Sequence, residues 1–131
     1  MIACYGGDVN PRFGLEVTVL ITVTLLLAIA CLAPAGGKLL AHPKMQASAV
    51  RFGIPWSRYR LIGVAEAAAV AGILAGLVVP AIGVAAAVGM IVLLVGALVA
   101  HRKAGDNPKE AIPAFIALGL SAAYLVILLT R

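Results

Sequence analysis

Four long stretches of apolar residues alternate with short polar segments along the chain. The apolar stretches cover residues 14–33, 59–79, 81–100 and 112–129. Each has about 20 residues, and an α-helix of that length spans the roughly 30 Å of hydrocarbon in a lipid bilayer. The pattern therefore predicts an all-α membrane protein, in which four transmembrane helices form a single domain over residues 1–131.

The segments between the apolar stretches differ in length and predict different connections. Only Pro80 separates the second span from the third, which predicts an antiparallel helical hairpin. The longer first connection contains Met45–Phe52, for which we expect a short helix at the membrane interface. Pro34 and the pair Gly36 and Gly37 precede that connection, and they predict a kink or a broken end of the first span.

The basic residues lie mostly between the apolar stretches and favour one side of the membrane. Lysine and arginine are enriched in cytoplasmic connections. We therefore expect a multi-pass protein of the inner (plasma) membrane, with both long connections in the cytoplasm and both termini on the non-cytoplasmic side. The side with the two connections carries eight basic residues, Lys38, Lys44, Arg51, Arg58, Arg60, Arg102, Lys103 and Lys109, whereas the opposite side carries Arg12 and Arg131.

Composition supports membrane insertion and limits the classes of partner. The chain is 63% hydrophobic and 11% charged, with a mean hydropathy of +1.12, whereas a soluble domain has about 25% charged residues. The net charge of +5 does not indicate nucleic acid, because the basic residues form no stripe interleaved with aromatic residues. We expect lipids and other integral membrane subunits as partners, and no nucleic acid.

One carboxylate, Glu66, lies well inside the second span. A charged side chain within a bilayer costs about 3 kcal/mol on insertion scales, so Glu66 is expected to face protein, water or a cation. Polar residues near the same end of their spans can turn toward Glu66, which predicts a polar cluster around it. Such a cluster is either an ion pair that fixes helix register or a site for a proton or a lipid head group. Its candidate members are Lys38, Arg58, Tyr59 and His101.

Small residues recur on the second and third spans. Gly72 and Gly76 have the GxxxG spacing that allows two helix backbones to approach closely, and Gly89 and Gly96 lie on the third span. Packing inside the bundle and docking of a partner subunit are both consistent with this spacing.

Several short motifs occur in an order that resembles the DoxX-like family of small four-span membrane proteins. The resemblance extends from about Gly14 over nearly the whole remaining chain and implies a four-helix membrane bundle. The motifs are GGKLL at 36–40, Pro43, FGIP at 52–55, IGVAE at 62–66, GALVAHR at 96–102 with Gly105 and Asp106, and IPAF at 112–115. The residues that match the family pattern are Gly36, Lys38, Pro55, Gly63, Glu66 and His101.

The family name is attached to a subunit of a thiosulfate:quinone oxidoreductase, so the resemblance implies an association with redox complexes. The chain itself has no CxxC pair, no pair of haem-ligating histidines within the spans and no nucleotide fingerprint. We identify no catalytic residue, metal ligand set or cofactor motif. The sequence therefore predicts a non-catalytic accessory subunit of a larger membrane complex, either a transporter of lipid or hydrophobic substrates or a respiratory assembly. The alternative is a quinone-binding membrane subunit of an oxidoreductase, in which Glu66 and His101 exchange protons with the ring oxygens.

Overall fold

A computed structural model of the chain describes residues 10–130. It contains five α-helices and a single 3-10 turn, and no strand occurs within this range. The helices are α1 (Pro11–Leu39), α2 (Pro43–Phe52), α3 (Trp56–Ala75), α4 (Pro80–Lys103) and α5 (Ile112–Thr130), with the 3-10 turn at Pro108–Ala111. The predicted all-α class and the short helix in the first connection are confirmed. Arg131, which entered the charge count, lies outside the described residues.

Three segments are long and apolar enough to cross a membrane. They are α1, α4, and α5 together with its preceding turn, Pro108–Thr130. α3 is not among them, because its 20 residues include Arg58, Arg60 and Glu66. The fold is therefore a helical bundle with three candidate spans among the described residues.

The ends of two helices differ from the sequence-based expectation. The sequence predicts either a kink or a broken end after Pro34; α1 continues through Pro34 to Leu39, so the broken end is wrong. Proline removes one backbone hydrogen bond, and the remaining turns of this 29-residue helix keep theirs. α3 ends at Ala75, four residues before the predicted limit. The chain is already extended at Val79, because the residue before a proline avoids the helical region.

α1, α3, α4 and α5 form a ring in which each helix packs against two others. α3 contacts α1 and α4, and α5 contacts α1 and α4. The centre is filled by Leu27, Ile73, Met90 and Tyr124, which are fully buried. α2 lies across one end, where it contacts α1, α3 and α4. We call this the polar end, which comprises α2, the last turns of α1 and α4, and residues 104–111; the opposite end, with residues 76–79, is the turn end.

Glycine allows α3 and α4 to touch at the turn end. A Cβ atom on Gly83 would lie 2.8 Å from the Gly76 Cα, and one on Gly72 would lie 2.6 Å from the Ala86 Cβ. Real Cβ atoms do not approach other atoms so closely. The hairpin therefore closes by direct backbone contact, as the GxxxG spacing of Gly72 and Gly76 allows.

A buried tyrosine completes this contact from the opposite side of the ring. The Tyr124 hydroxyl donates a 2.6 Å hydrogen bond to the backbone carbonyl of Ile73. This carbonyl lies in the last turn of α3. The Leu77 amide, four residues further on, donates to the Leu74 carbonyl and not to that of Ile73. Since a helix leaves its last carbonyls without internal donors, the tyrosine satisfies a group that the fold would otherwise bury unpaired.

At the polar end, α4 ends in a turn that reverses the chain over its own last residues. Gly105 has a positive φ of 70°. The Gly105 amide donates to the backbone carbonyl of Arg102, and the Asp106 amide donates to the backbone carbonyl of His101, both at 3.1 Å. This double hydrogen bond is the Schellman motif, which requires a left-handed residue after the helix. The turn places Asp106 directly over His101.

Candidate functional site

A buried ion pair joins α1 and α3 at the polar end. The Lys38 Nζ atom lies 2.6 Å from Glu66 Oε1, and the two residues are only 7% and 8% exposed. Gly63 makes this approach possible: a Cβ atom there would lie 2.7 Å from the Lys38 Cβ. A glycine one turn before Glu66 therefore brings the two helices close enough for the pair to form.

The second carboxylate oxygen of Glu66 has no partner. Oε2 is buried and forms no hydrogen bond with any described residue. An ionised carboxylate accepts hydrogen bonds at both oxygens, and an unsatisfied buried acceptor costs about 1–3 kcal/mol. The ion pair thus leaves half of the carboxylate's bonding capacity unused.

Glu66 lines a cavity of about 510 Å³ at the polar end. This volume is within the roughly 300–1,000 Å³ range of small-molecule sites. Its inner wall is apolar, with Cys31, Met90, Leu94 and Ala117 among the lining residues, and all five helices contribute to it. Exposed Val92 and Gly96 also line it, so the cavity reaches the outer surface of α4.

Tyr59 connects the ion pair to α2. The Lys38 Nζ atom lies 5.1 Å from the centroid of the Tyr59 ring, which is within the range of a cation–π interaction. The Tyr59 hydroxyl faces the Met45 sulfur at 3.9 Å. The ring also packs at 6.3 Å from Phe52 and 5.9 Å from Trp56. One aromatic residue therefore contacts both the charged pair and the helix that lies across the cavity mouth.

A second polar group fixes α2 from the side of α4. Asp106, whose side chain is 7% exposed, lies 2.7 Å from His101 Nδ1 and 3.0 Å from Arg51 Nε. The Phe52 ring packs edge-on against the His101 ring, with centroids 5.1 Å apart. Arg51 and Phe52 belong to α2, so the turn after α4 holds this helix over the cavity.

The residues predicted to cluster around Glu66 divide into three groups in the structure. Lys38 and Tyr59 contact each other beside it. His101 lines the same cavity, but its Nδ1 atom faces Asp106 instead of Glu66. Arg58 is exposed and does not line the cavity. Arg58 precedes Glu66 by eight positions, which puts it about 80° around the helix.

Several residues of the site were not found from the sequence. Arg51 and Asp106 form the ion pair that connects α2 to the turn after α4, which we call the latch. Lys44 and Lys109 line the cavity. The five-residue spacing from His101 to Asp106 around Gly105 was the available signal, because a left-handed glycine after a helix returns the chain over the last turn.

The predicted interface glycines also separate into two pairs. Gly72 and Gly76 pack against α4 inside the bundle. Gly89 and Gly96 are exposed, and a Cβ atom on either would meet nothing within 4 Å. Within residues 10–130, no group of three His, Cys, Asp or Glu residues is placed to hold a metal ion.

An all-helical bundle with membrane-length apolar helices and a cavity at one end defines a small helical membrane protein. The profile of the DoxX-like family matches residues 22–124, and the chain belongs to this family. The matched region includes Lys38, Glu66 and His101, and the resemblance that the motifs indicated is confirmed. No curated protein and no solved structure matches the chain.

Proposed function

We propose that this chain is a membrane subunit that binds one amphipathic molecule, of lipid or quinone type, in the cavity beside Glu66. The observation that carries the proposal is Glu66, which lines a cavity of ligand size and whose buried Oε2 atom has no partner among the described residues. Ligand pockets combine mostly apolar walls with a few placed polar groups. Here the polar head of the ligand lies near Glu66, and its apolar body contacts residues such as Met90 and Leu94.

We place the polar end in the cytoplasm and treat α3 as the fourth span. Its 20 residues have the length needed to cross the hydrocarbon region, at about 1.5 Å per residue. Lys38 neutralises Glu66, which lowers the cost of the buried charge. Arg60, in the second turn of α3, donates to the Leu39 carbonyl at 3.1 Å and so lies near the helix end. Both termini are then on the non-cytoplasmic side of the inner membrane.

A quinone is one ligand that these residues fit. Glu66 and His101 both line the cavity and are the groups that would hold its ring oxygens. His101 Nδ1 is engaged by Asp106, which fixes the ring and leaves Nε2 without a partner among the described residues. A bound quinone supplies redox chemistry, whereas the protein supplies the apolar cavity and the groups that hold or move a proton.

Filling the cavity tests the binding function. Ala97 lines the cavity on α4, and a phenylalanine there occupies space that the ligand needs. Ala85 is exposed on the same helix and does not line the cavity, so Ala85→Phe is the matched control. Native mass spectrometry of the purified full chain should show a bound amphiphile in wild type and Ala85→Phe, and its loss in Ala97→Phe. Equal occupancy in both variants would contradict the proposal.

A second candidate function is that of the non-catalytic accessory subunit. The observation that favours it is the exposed Gly89 on α4, which leaves a flat surface that this bundle does not use. Close helix approach needs small residues at the contact. Gly89→Leu should therefore remove a stoichiometric membrane partner from the tagged native protein. Gly119→Leu, at an exposed and equally open position on α5, is the control; equal partner recovery in both variants would count against docking at this face.

A further inference from the structure

We infer that the cavity selects a neutral amphiphile whose polar head donates a hydrogen bond, namely a hydroxyl group of a hydroquinone ring or of a lipid alcohol. The inference rests on the proposed function, since it concerns the chemistry of the molecule in the same cavity. Glu66 Oε1 already accepts from Lys38, and Oε2 is the buried atom that lacks a donor. A carboxylate oxygen can be satisfied only by a donor, so a head group with acceptors alone leaves it unpaired.

A second acceptor in the cavity wall points to the same head group. Pro34 lies inside α1 and has no N–H group, so it cannot donate to the carbonyl of Ala30 one turn earlier. Both Ala30 and Pro34 line the cavity. Two lining residues, Glu66 and Ala30, therefore each carry an oxygen that lacks one expected donor: Oε2 of Glu66 has no partner among the described residues, and the Ala30 carbonyl loses its intrahelical one.

The charges around the cavity act against a cationic head group. Lys44 and Lys109 line it, and neither forms an ion pair with any residue in the range 10–130. Glu110 also lines the cavity without an ion pair in this range, so the unpaired charges of the lining are net positive and disfavour an ammonium head group. An ionised carboxylate or a phosphate diester carries only acceptors, so at Glu66 it would leave Oε2 unpaired. A neutral hydroxyl can donate to Oε2 and carries no charge for the lysines to repel.

The route into the cavity fits a molecule dissolved in the membrane. Val92 is 66% exposed and Gly96 is exposed, and both line the cavity. No Cβ is present at Gly96 to narrow this opening, and one placed there would meet nothing within 4 Å. An amphiphile can therefore enter from the side of α4 with its apolar body in the hydrocarbon region.

The test compares ligands that differ only in the donor. One pair is decylhydroquinone and its dimethyl ether, and the other is 1-dodecanol and its methyl ether; binding to the full chain in detergent is measured by native mass spectrometry. The hydroxyl member should bind roughly 10- to 100-fold more tightly, as expected for a hydrogen bond to a charged group. The pair with the larger preference identifies the source of the hydroxyl.

Equal binding of ether and hydroxyl overturns this inference but leaves the proposed function intact, whereas no binding of any probe overturns the proposed function itself.

Two variants assign the preference to Glu66. Glu66→Gln replaces the free acceptor by a group that can also donate, so the preference for the hydroxyl member should fall at least tenfold. Because this variant leaves Lys38 buried without a counter-charge, the double variant Lys38→Met/Glu66→Leu is measured beside it; it removes the acceptor and the cation together and should bind both members equally. Ala85→Phe should retain the wild-type preference. A preference that persists in the double variant overturns the inference.

Discussion

The two ends of the bundle are built from the same four helices but use opposite packing. At the turn end, Gly76 and Gly83 bring two backbones into contact, and the Tyr124 hydroxyl donates to the Ile73 carbonyl. At the polar end, a single glycine, Gly63, brings α1 to α3, and the remaining space is a cavity lined by Glu66, which has an oxygen unpaired among the described residues. The turn end is packed for stability, whereas the polar end keeps space and an unsatisfied polar group, as binding sites do.

The comparison also explains why α2 occurs at only one end. At the turn end, residues 76–79 join α3 to α4, whose backbones touch at Gly76 and Gly83. At the polar end the helices leave an opening, and α2 lies across it, held by Arg51 through Asp106 and by contacts of Phe52 with His101 and Tyr59. At the polar end α2 is thus joined to its neighbours by side chains, whereas α3 and α4 are joined at the turn end by backbone contact.

The largest effect is expected from removing the cation of the buried pair. Lys38→Met leaves Glu66 as an uncompensated buried charge, and the free energy of unfolding should fall by about 3–5 kcal/mol. Thermal unfolding in detergent measures the loss.

The control for this prediction removes both charges. Lys38→Met/Glu66→Leu should be close to wild type in stability or higher, because replacing a buried pair by apolar side chains is often neutral or stabilising. A double variant as unstable as the single one would show that Lys38 stabilises the polar end through packing and not through its charge.

A smaller effect is expected at the turn end, where backbone contact leaves no room for a side chain. Gly83→Leu should reduce the free energy of unfolding by about 1–3 kcal/mol, because overpacking forces the helices apart. Gly89→Leu, on the exposed side of the same helix, should change the stability of the isolated chain by less than about 0.5 kcal/mol. Similar losses in both variants would mean that the turn end is not tightly packed.

The turn end was largely predictable from the sequence, because its cause is local. The single residue between two apolar stretches predicts a hairpin, and the spacing of Gly72 and Gly76 predicts close approach. In an antiparallel hairpin the start of α4 faces the end of α3, which places Gly83 opposite Gly76. Tyr124 does not follow, since its hydrogen bond joins two helices on opposite sides of the ring, and the sequence contains no signal for that contact.

The polar end was predictable only in part, because it combines residues from every helix. Lys38 and Glu66 were found from the cost of burying a charge, which requires a counter-ion. Arg58 was included although helical periodicity turns it about 80° away from Glu66. Asp106 was missed as the partner of His101, because its position depends on the turn at Gly105 and not on any helix face. The cavity depends on how α2 lies over the other helices, and hydrophobic pattern does not encode that position.

The smallest effect should distinguish the latch from the buried pair at the polar end. Arg51 binds Asp106 at 3.0 Å, but its side chain is 43% exposed, so the solvent-screened pair contributes about 0.5 kcal/mol to stability. Arg51→Gln should leave the unfolding temperature of the bundle unchanged but loosen α2, because the latch connects this helix to the turn after α4. Amide hydrogen exchange over residues 43–52 should become roughly twofold faster, the factor that corresponds to that free energy. Arg58→Gln is the control, since Arg58 is exposed and forms no ion pair among the described residues; equal exchange in both variants would mean that α2 is held by its aromatic contacts and not by Arg51.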